Sequence, residues 1–221
     1  MNESWQLFLD SLWPIVRGGL TGTIPLTLAA FSIGLVLALV VALMRLSSNR
    51  FVSWIAKAYI SAIRGTPLLV QLFVIFYGLP SLGVLIDPWP SAIVAFSLNV
   101  GGYAAEVIRA AILSVPKGQW EAGYTIGMSH GQSLRRLILP QAARVSVPPL
   151  SNTFISLVKD TSLASMILVT ELFREAQKIA AFTQEFMLLY IQAALVYWVF
   201  CLVLSMGQSA LETRLDKYVA H

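Results

Sequence analysis

The sequence predicts an all-α integral membrane protein with about five transmembrane helices, and three observations carry that fold class. Hydrophobic residues make up 57% of the 221 positions and charged residues only 12%, about half the charged share of a soluble domain. A soluble chain of this size leaves too much surface exposed to hide that apolar content. The apolar residues also fall into long runs, and a hydrocarbon layer about 30 Å thick takes roughly 20 of them in a helix. Finally, the basic residues sit in short connections between the runs, so the net charge of +4 reads as charge beside a membrane surface. It is not the footprint of a nucleic-acid partner.

The elements follow in order. The N-terminal MNESWQLFLDSLW carries Glu3 and Asp10 and lacks a basic leader, so no cleavable signal peptide is expected. It reads as a short amphipathic segment ahead of the first span. Gly18 to Met44 is uncharged and makes that span. Gly65 to Ile86 makes the second, with its start drawn back toward Tyr59. Pro88 to about Leu113 is the third, interrupted by Glu106 and Arg109. Val145 to Thr170 is the fourth, interrupted by Lys159 and Asp160. Phe186 to Leu211 is the fifth and is uncharged.

Five spans place the termini on opposite sides, and the positive-inside rule chooses between the two orientations. With the N-terminus outside, the inner connections hold Arg45, Arg50, Lys57, Arg64, Lys117, Arg135, Arg136, Arg144, Arg214 and Lys217. The outer ones hold Arg17, Arg174 and Lys178. The topology is therefore N-out, C-in, with residues 1–221 forming a single transmembrane domain. Glu171–Lys178 reads as an external amphipathic helix, which either caps the bundle or receives a partner on its charged face.

The single cysteine, Cys201, gives no intrachain disulfide and no metal site. His130 and His221 are too few for metal or triad chemistry. An intramembrane protease would need a nucleophile and a base within reach. Neither histidine lies in a span, G-x-S-x-G is absent, and no paired intramembrane aspartates occur. A secondary transporter built on inverted halves is disfavoured, because no internal repeat appears.

One stretch is out of character. Glu121 to Pro140 reads EAGYTIGMSHGQSLRRLILP and falls on the inner side, within a polar loop of about 117–140. Pro116 ends the third span. Glu121 is expected to open a short helix, where a carboxylate suits the positive helix end. Gly127 and Gly131 are expected to break it, Leu134 and Leu137 to turn inward, Arg135 and Arg136 to face water, and Pro140 to start the next element. By itself this describes either a solvated loop helix or a surface shaped for a partner.

Glu121-Ala122-Gly123, then Gly127, then Leu137-x-Leu139-Pro140 resembles the EAA loop of bacterial ABC importer permeases. The spacing matches throughout, with Gly123 in place of an alanine and Leu137 in place of an isoleucine. The run Tyr59–Leu72, YISAIRGTPLLVQL, is similar to the entry of the second span in polar amino acid permeases. Pro148–Leu163, PPLSNTFISLVKDTSL, is similar to their fourth. Within that family the chain is most like permease subunits for cystine and related sulfur-containing amino acids, although permeases for glutamine, histidine or arginine share these motifs. The resemblance implies the type I importer fold, with Glu121, Ala122, Gly123, Gly127, Leu137, Leu139 and Pro140 forming a cytoplasmic coupling element. It also implies two ATPase subunits, a second permease subunit (a homodimer being the simpler arrangement) and an external amino-acid-binding protein in a bacterial inner membrane. No cofactor is implied in this chain. It has no G-x-x-x-x-G-K-[ST] phosphate loop, so ATP and magnesium belong to the partner ATPase.

Charged groups at mid-bilayer cost roughly 2.5–3.5 kcal/mol on insertion scales, so they face protein or a watery cavity. Asn99, Tyr103 and Glu106 share one face of the third span, and Arg109 can pair with Glu106. Asn152, Ser156 and Lys159 share a face of the fourth, with Asp160 at its edge and Ser162 extending the polar run. Gln71 and Tyr77 fall on one side of the second. These residues are candidates for a substrate path that meets both the ammonium and the carboxylate of a zwitterion. Two bland readings stand beside that one: Glu106 and Arg109 as bundle glue, and Lys159 and Asp160 as gate or subunit contacts. Arg64-Gly65-Thr66-Pro67 reads as an anchor and helix start, or as a gate.

Overall fold

The computed structural model describes residues 3–216, and these are helical with short connections. Lys217 and His221, weighed above for topology and metal chemistry, lie outside the described residues.

The N-terminal segment is not separate from the first span. Helix α1 (Glu3–Gly18) passes through a π-helical turn, Gly19–Thr23, into α2 (Ile24–Leu46), giving one helix of 44 residues. The segment is amphipathic as expected, but it is continuous with the span, and its polar stripe has a protein partner. Ser11 Oγ donates to Gln192 Oε1 at 2.7 Å, and Gln192 Nε2 donates to Phe8 O at 2.7 Å.

The second span, drawn in the sequence as one run from near Tyr59 to Ile86, is broken at Arg64-Gly65-Thr66-Pro67, where a helix start was read. Helix α3 (Arg50–Arg64) is capped by Asn49, whose Oδ1 accepts from Phe51 N at 2.9 Å. Helix α4 (Leu68–Phe73) continues as a π-turn and a 3-10 turn to Leu82. The two halves meet at 104°. Pro67 is the cause: it lacks an N–H and disfavours helical backbone at Thr66.

Helix α5 (Pro88–Ser114) is the axis of the bundle. Small residues let its neighbours approach: a Cβ on Gly34 would lie 2.7 Å from Val100 Cβ, and one on Gly102 would lie 2.6 Å from Ile63. Gly34 meets Val100, Leu37 meets Gly101 and Arg45 meets Glu106. The ascending order means that α2 and α5 run in the same direction, as first and third spans must. Helices α6 (Lys117–Thr125) and α7 (His130–Ser133) form the polar segment. A π-turn, Leu134–Ile138, joins α7 to α8 (Leu139–Asp160), so the chain is helical well before Val145, and Pro140 stands in the first turn of α8 as expected. A 3-10 turn, Thr161–Ile167, follows. Leu168 then takes a left-handed backbone (φ 65°), and α9 (Leu172–Thr183) departs at 47°. Helix α10 (Phe186–Asp216) closes the fold.

Among the described residues three helices are long and apolar enough to cross a membrane, or five spans if each bent pair is one. The main core surrounds Phe96, Leu26 and Leu72. A second core, around Ile15, Leu172 and Leu189, joins α1, α9 and α10. A third, around Ile112 and Ile138, supports the polar segment.

Candidate translocation cavity and coupling element

The bend at Pro67 opens a cavity of about 430 Å³ between the start of α4, the middle of α5 and the end of α8. Its polar wall is Thr66, Asn99, Tyr103, Asn152, Ser156 and Asp160. Asn99 and Tyr103 lie one turn apart on α5. Asn152, Ser156 and Asp160 lie at successive turns of α8 and face them. Arg64 stands 5.5 Å above the Tyr103 ring, within cation–π range. Asn152 Oδ1 accepts from Gln208 Nε2 of α10 at 3.1 Å, and Gln208 also reaches Glu212 at 2.8 Å. The cavity thus offers a carboxylate, amides and hydroxyls in an apolar frame, with a guanidinium beside it. That is the chemistry a small zwitterion requires.

Several sequence candidates lie off this wall. Glu106 turns away toward Arg109, with Oε2 2.9 Å from its Nη2, and toward Arg45 at 3.9 Å. Two guanidiniums on its own side of the bundle outcompete the cavity. Lys159 is exposed one residue away from Asp160, because adjacent helical positions point about 100° apart. Ser162 falls in the 3-10 turn beyond α8, where the changed helical pitch carries it off the stripe. Tyr77 lines a separate cavity with Phe76 and Asp87, because the π-turn at Val74–Gly78 shifts its register from Gln71. Gln71 sits behind the wall, bonded to Asn99 and Thr66. Thr66 and Thr153 line the cavity and were not among the path candidates. The signal for Thr66 was present: a hydroxyl next to a proline marks an opened helix end.

The polar segment forms a helical hairpin. Glu121 lies inside α6 and does not open it, since Pro116 is the N-cap. Gly127, at φ +79°, ends this element, a backbone state that costs other residues about 1 kcal/mol. Gly131 breaks nothing. It lies in α7, which Ser129 and Gln132 start with a reciprocal capping box. Gly123 is buried, and a Cβ there would lie 2.6 Å from Ser133 Oγ and 3.1 Å from Leu137 Cδ1. The glycine in the alanine position therefore lets α6 press onto the turn after α7. His130 stacks on Trp120 at 4.8 Å, and its Nδ1 is 2.8 Å from the Tyr124 hydroxyl. Glu121, Ala122 and Gly127 are exposed on the outer side of the hairpin, and Ile126 is 74% exposed. Leu137 and Leu139 pack on the third core, while Pro140 is exposed.

Sequence reading missed one buried charge. Glu171 is fully buried at the N-cap of α9. Its carboxylate accepts from the backbone N–H groups of Phe173 (2.9 Å) and Arg174 (2.6 Å), from the Tyr197 hydroxyl (2.7 Å) and from Thr23 (3.3 Å). An acidic residue directly before an amphipathic run was the available signal.

The description binding-protein-dependent transport system inner membrane component matches residues 30–217. The chain belongs to that family. Its members are membrane components of transporters and not enzymes, and this permease is a multi-pass membrane protein. It is 62% identical over 217 residues to the L-cystine transport system permease protein TcyB of Bacillus subtilis (strain 168), covering 98% of this chain and 93% of that one. It is 37% identical to the arginine transport system permease protein ArtQ of the same organism, covering 97% and 98%. Among solved structures, a crystal structure of an amino acid ABC transporter with histidines matches with a TM-score of 0.87 at 37% identity, covering 93% of this chain and 96% of that one. The inward-facing MetNI methionine ABC transporter matches with a TM-score of 0.71 at 18% identity, a likeness of fold. The fold is that of a type I ABC importer permease.

Proposed function

We propose that this permease is the membrane subunit of an ATP-driven importer for polar amino acids, with L-cystine as its substrate. The observation that carries the reading is the 62% identity to a cystine permease across 98% of the chain. The cavity chemistry agrees with it, since Asp160 and the amides suit ammonium groups and Arg64 suits a carboxylate. Two permease chains pair as a homodimer, and each hairpin of α6 and α7 docks on one ATPase subunit through the face that carries Glu121. ATP and magnesium are held by those subunits. A binding protein delivers the amino acid from outside the inner membrane. ATP binding draws the two hairpins together and opens the path outward, and hydrolysis returns it inward. The permease supplies contacts that differ between the two states, as any ligand-driven shift requires.

Uptake of labelled cystine by vesicles holding the permease, its ATPase and its binding protein tests this. ATP-dependent cystine accumulation is expected. Accumulation of glutamine, histidine or arginine in preference to cystine would replace the substrate assignment, and uptake without an ATPase would overturn the class.

A further inference from the structure

Gln71 has no place on the cavity wall, yet its side-chain amide meets four groups. Nε2 lies 2.8 Å from Ile63 O, 2.9 Å from Thr66 Oγ1 and 3.1 Å from Thr66 O, so its two hydrogens serve three acceptors, one of the hydrogens being shared. Oε1 accepts from Asn99 Nδ2 at 3.1 Å. The cause is written in the sequence. In a continuous helix Ile63 O would accept from residue 67, and residue 67 is proline. The break therefore leaves orphan carbonyls inside a membrane protein, where they must find a donor. Thr66 cannot serve, because its hydroxyl hydrogen goes to Ala62 O at 2.7 Å.

Carbonyl oxygens only accept. The amide of Gln71 then has one permitted orientation, with its NH₂ toward the break and its oxygen toward α5. Asn99 meets that oxygen with its own NH₂. Among the described residues Asn99 Oδ1 has no hydrogen-bond partner, and Asn99 lines the cavity opposite Ser156 and Asp160. We infer that Gln71 is a positioning residue, which converts the polarity of the Pro67 break into a fixed acceptor, Asn99 Oδ1, for the substrate's ammonium group. The inference rests on the amino-acid import reading above.

The test is equilibrium binding of cystine to the assembled permease–ATPase complex without binding protein, for the wild type, Gln71→Glu, Gln71→Met, Asn99→Ala and Gln71→Met/Asn99→Ala. A lost hydrogen bond to a charged group is worth a factor of about ten or more in Kd. Gln71→Met, which removes the acceptor that holds the Asn99 amide, is expected to raise Kd by about that factor, and the double variant to bind no worse than Asn99→Ala alone; Gln71→Glu still offers an oxygen to Asn99 Nδ2 and is expected to bind as the wild type does. Binding of 3,3′-dithiodipropionate, which is cystine without its ammonium groups, is expected to be the same in wild type and Gln71→Met. Equal losses for both ligands, additive losses in the double variant, or an unchanged Kd for cystine in Gln71→Met would overturn the proposal. If neither Gln71→Glu nor Gln71→Met assembles with the ATPase, Gln71 is a folding requirement and the proposal falls. Cystine uptake by a wild-type complex that shows no direct binding also sinks it and leaves the import reading standing. If the wild type binds glutamine, histidine or arginine instead, the substrate assignment fails. The same comparison is then made with that amino acid and its deamino analogue.

Discussion

The Tyr197 hydroxyl lies 2.7 Å from Glu171 Oε2, inside a site that also takes two backbone N–H groups and the Thr23 hydroxyl. Three helices, α1–α2, α9 and α10, are pinned by one buried carboxylate. Glu171→Ala leaves two hydroxyls and two N–H groups without their acceptor, at a cost of about 3–5 kcal/mol. The variant is expected to lose thermal stability in detergent, by several degrees at least. Glu171→Gln keeps an acceptor and should lose less. Equal stability of wild type and alanine variant would contradict the pinning role.

Close approach at the same corner gives a second prediction. A Cβ on Gly22 would sit 2.5 Å from Thr170 O and 2.6 Å from Glu171 Cα, both backbone atoms that cannot swing aside. Gly22→Ala should therefore destabilise by about 1–3 kcal/mol. Gly131 has no atom within 4 Å of its Cβ position and lies in a helix, so Gly131→Ala should be neutral or stabilise by about 0.5–1 kcal/mol. Melting curves of the two variants should move in opposite directions or differ by the Gly22 penalty alone.

Glu106 bonds Arg109 at 2.9 Å and lies 3.9 Å from Arg45. Glu106→Gln should strip both guanidiniums of their counter-charge and lower the yield of assembled complex, at about 1–3 kcal/mol. Complex that does assemble should bind cystine as the wild type does. A weakened Kd in a stable complex would return Glu106 to the substrate path.

The exposed face of the hairpin gives a fourth. Glu121→Lys should cut binding-protein-stimulated ATP hydrolysis about five- to thirtyfold, the effect of one or two kcal/mol at a docking contact. The chain should remain in the membrane in normal amount. Unchanged stimulation would place the docking contact elsewhere on the hairpin.

Much of this was legible before any coordinates. Long uncharged runs located the spans, and basic loops gave their orientation, because both follow from the cost of placing charge in hydrocarbon. Asn99, Tyr103, Asn152, Ser156 and Asp160 could be grouped because their spacing is helical and the helices that carry them are regular. The stripe failed at Tyr77 and Ser162, where a π-turn and a 3-10 turn change the pitch, and sequence periodicity assumes a constant one. Glu106 could be placed on the right helix face but not assigned, since choosing between Arg45 and the cavity depends on which neighbour stands closer in space. The N-cap position of Glu171 has a local signal, but its burial does not, for a related reason. Its partners Thr23 and Tyr197 are remote in the chain, and nothing local marks them.

That remoteness sets a schedule for assembly. Glu171 follows Thr23 by 148 residues, and Gln192 follows Ser11 by 181. At a ribosomal pace of about 5–20 residues per second, the first helix waits about 7–30 s for the partner of Thr23 to be made. During that interval its glycine- and hydroxyl-lined face must stand alone. Ser11 Oγ has an acceptor in Leu7 O at 2.6 Å until Gln192 arrives, and Thr27 Oγ1 bonds Thr23 O at 2.8 Å, whereas Thr23 Oγ1 finds its partners only in Glu171 and Leu172. The nascent chain thus inserts its longest helix first with one hydroxyl, that of Thr23, still waiting for Glu171, and the helices that follow lock it in place.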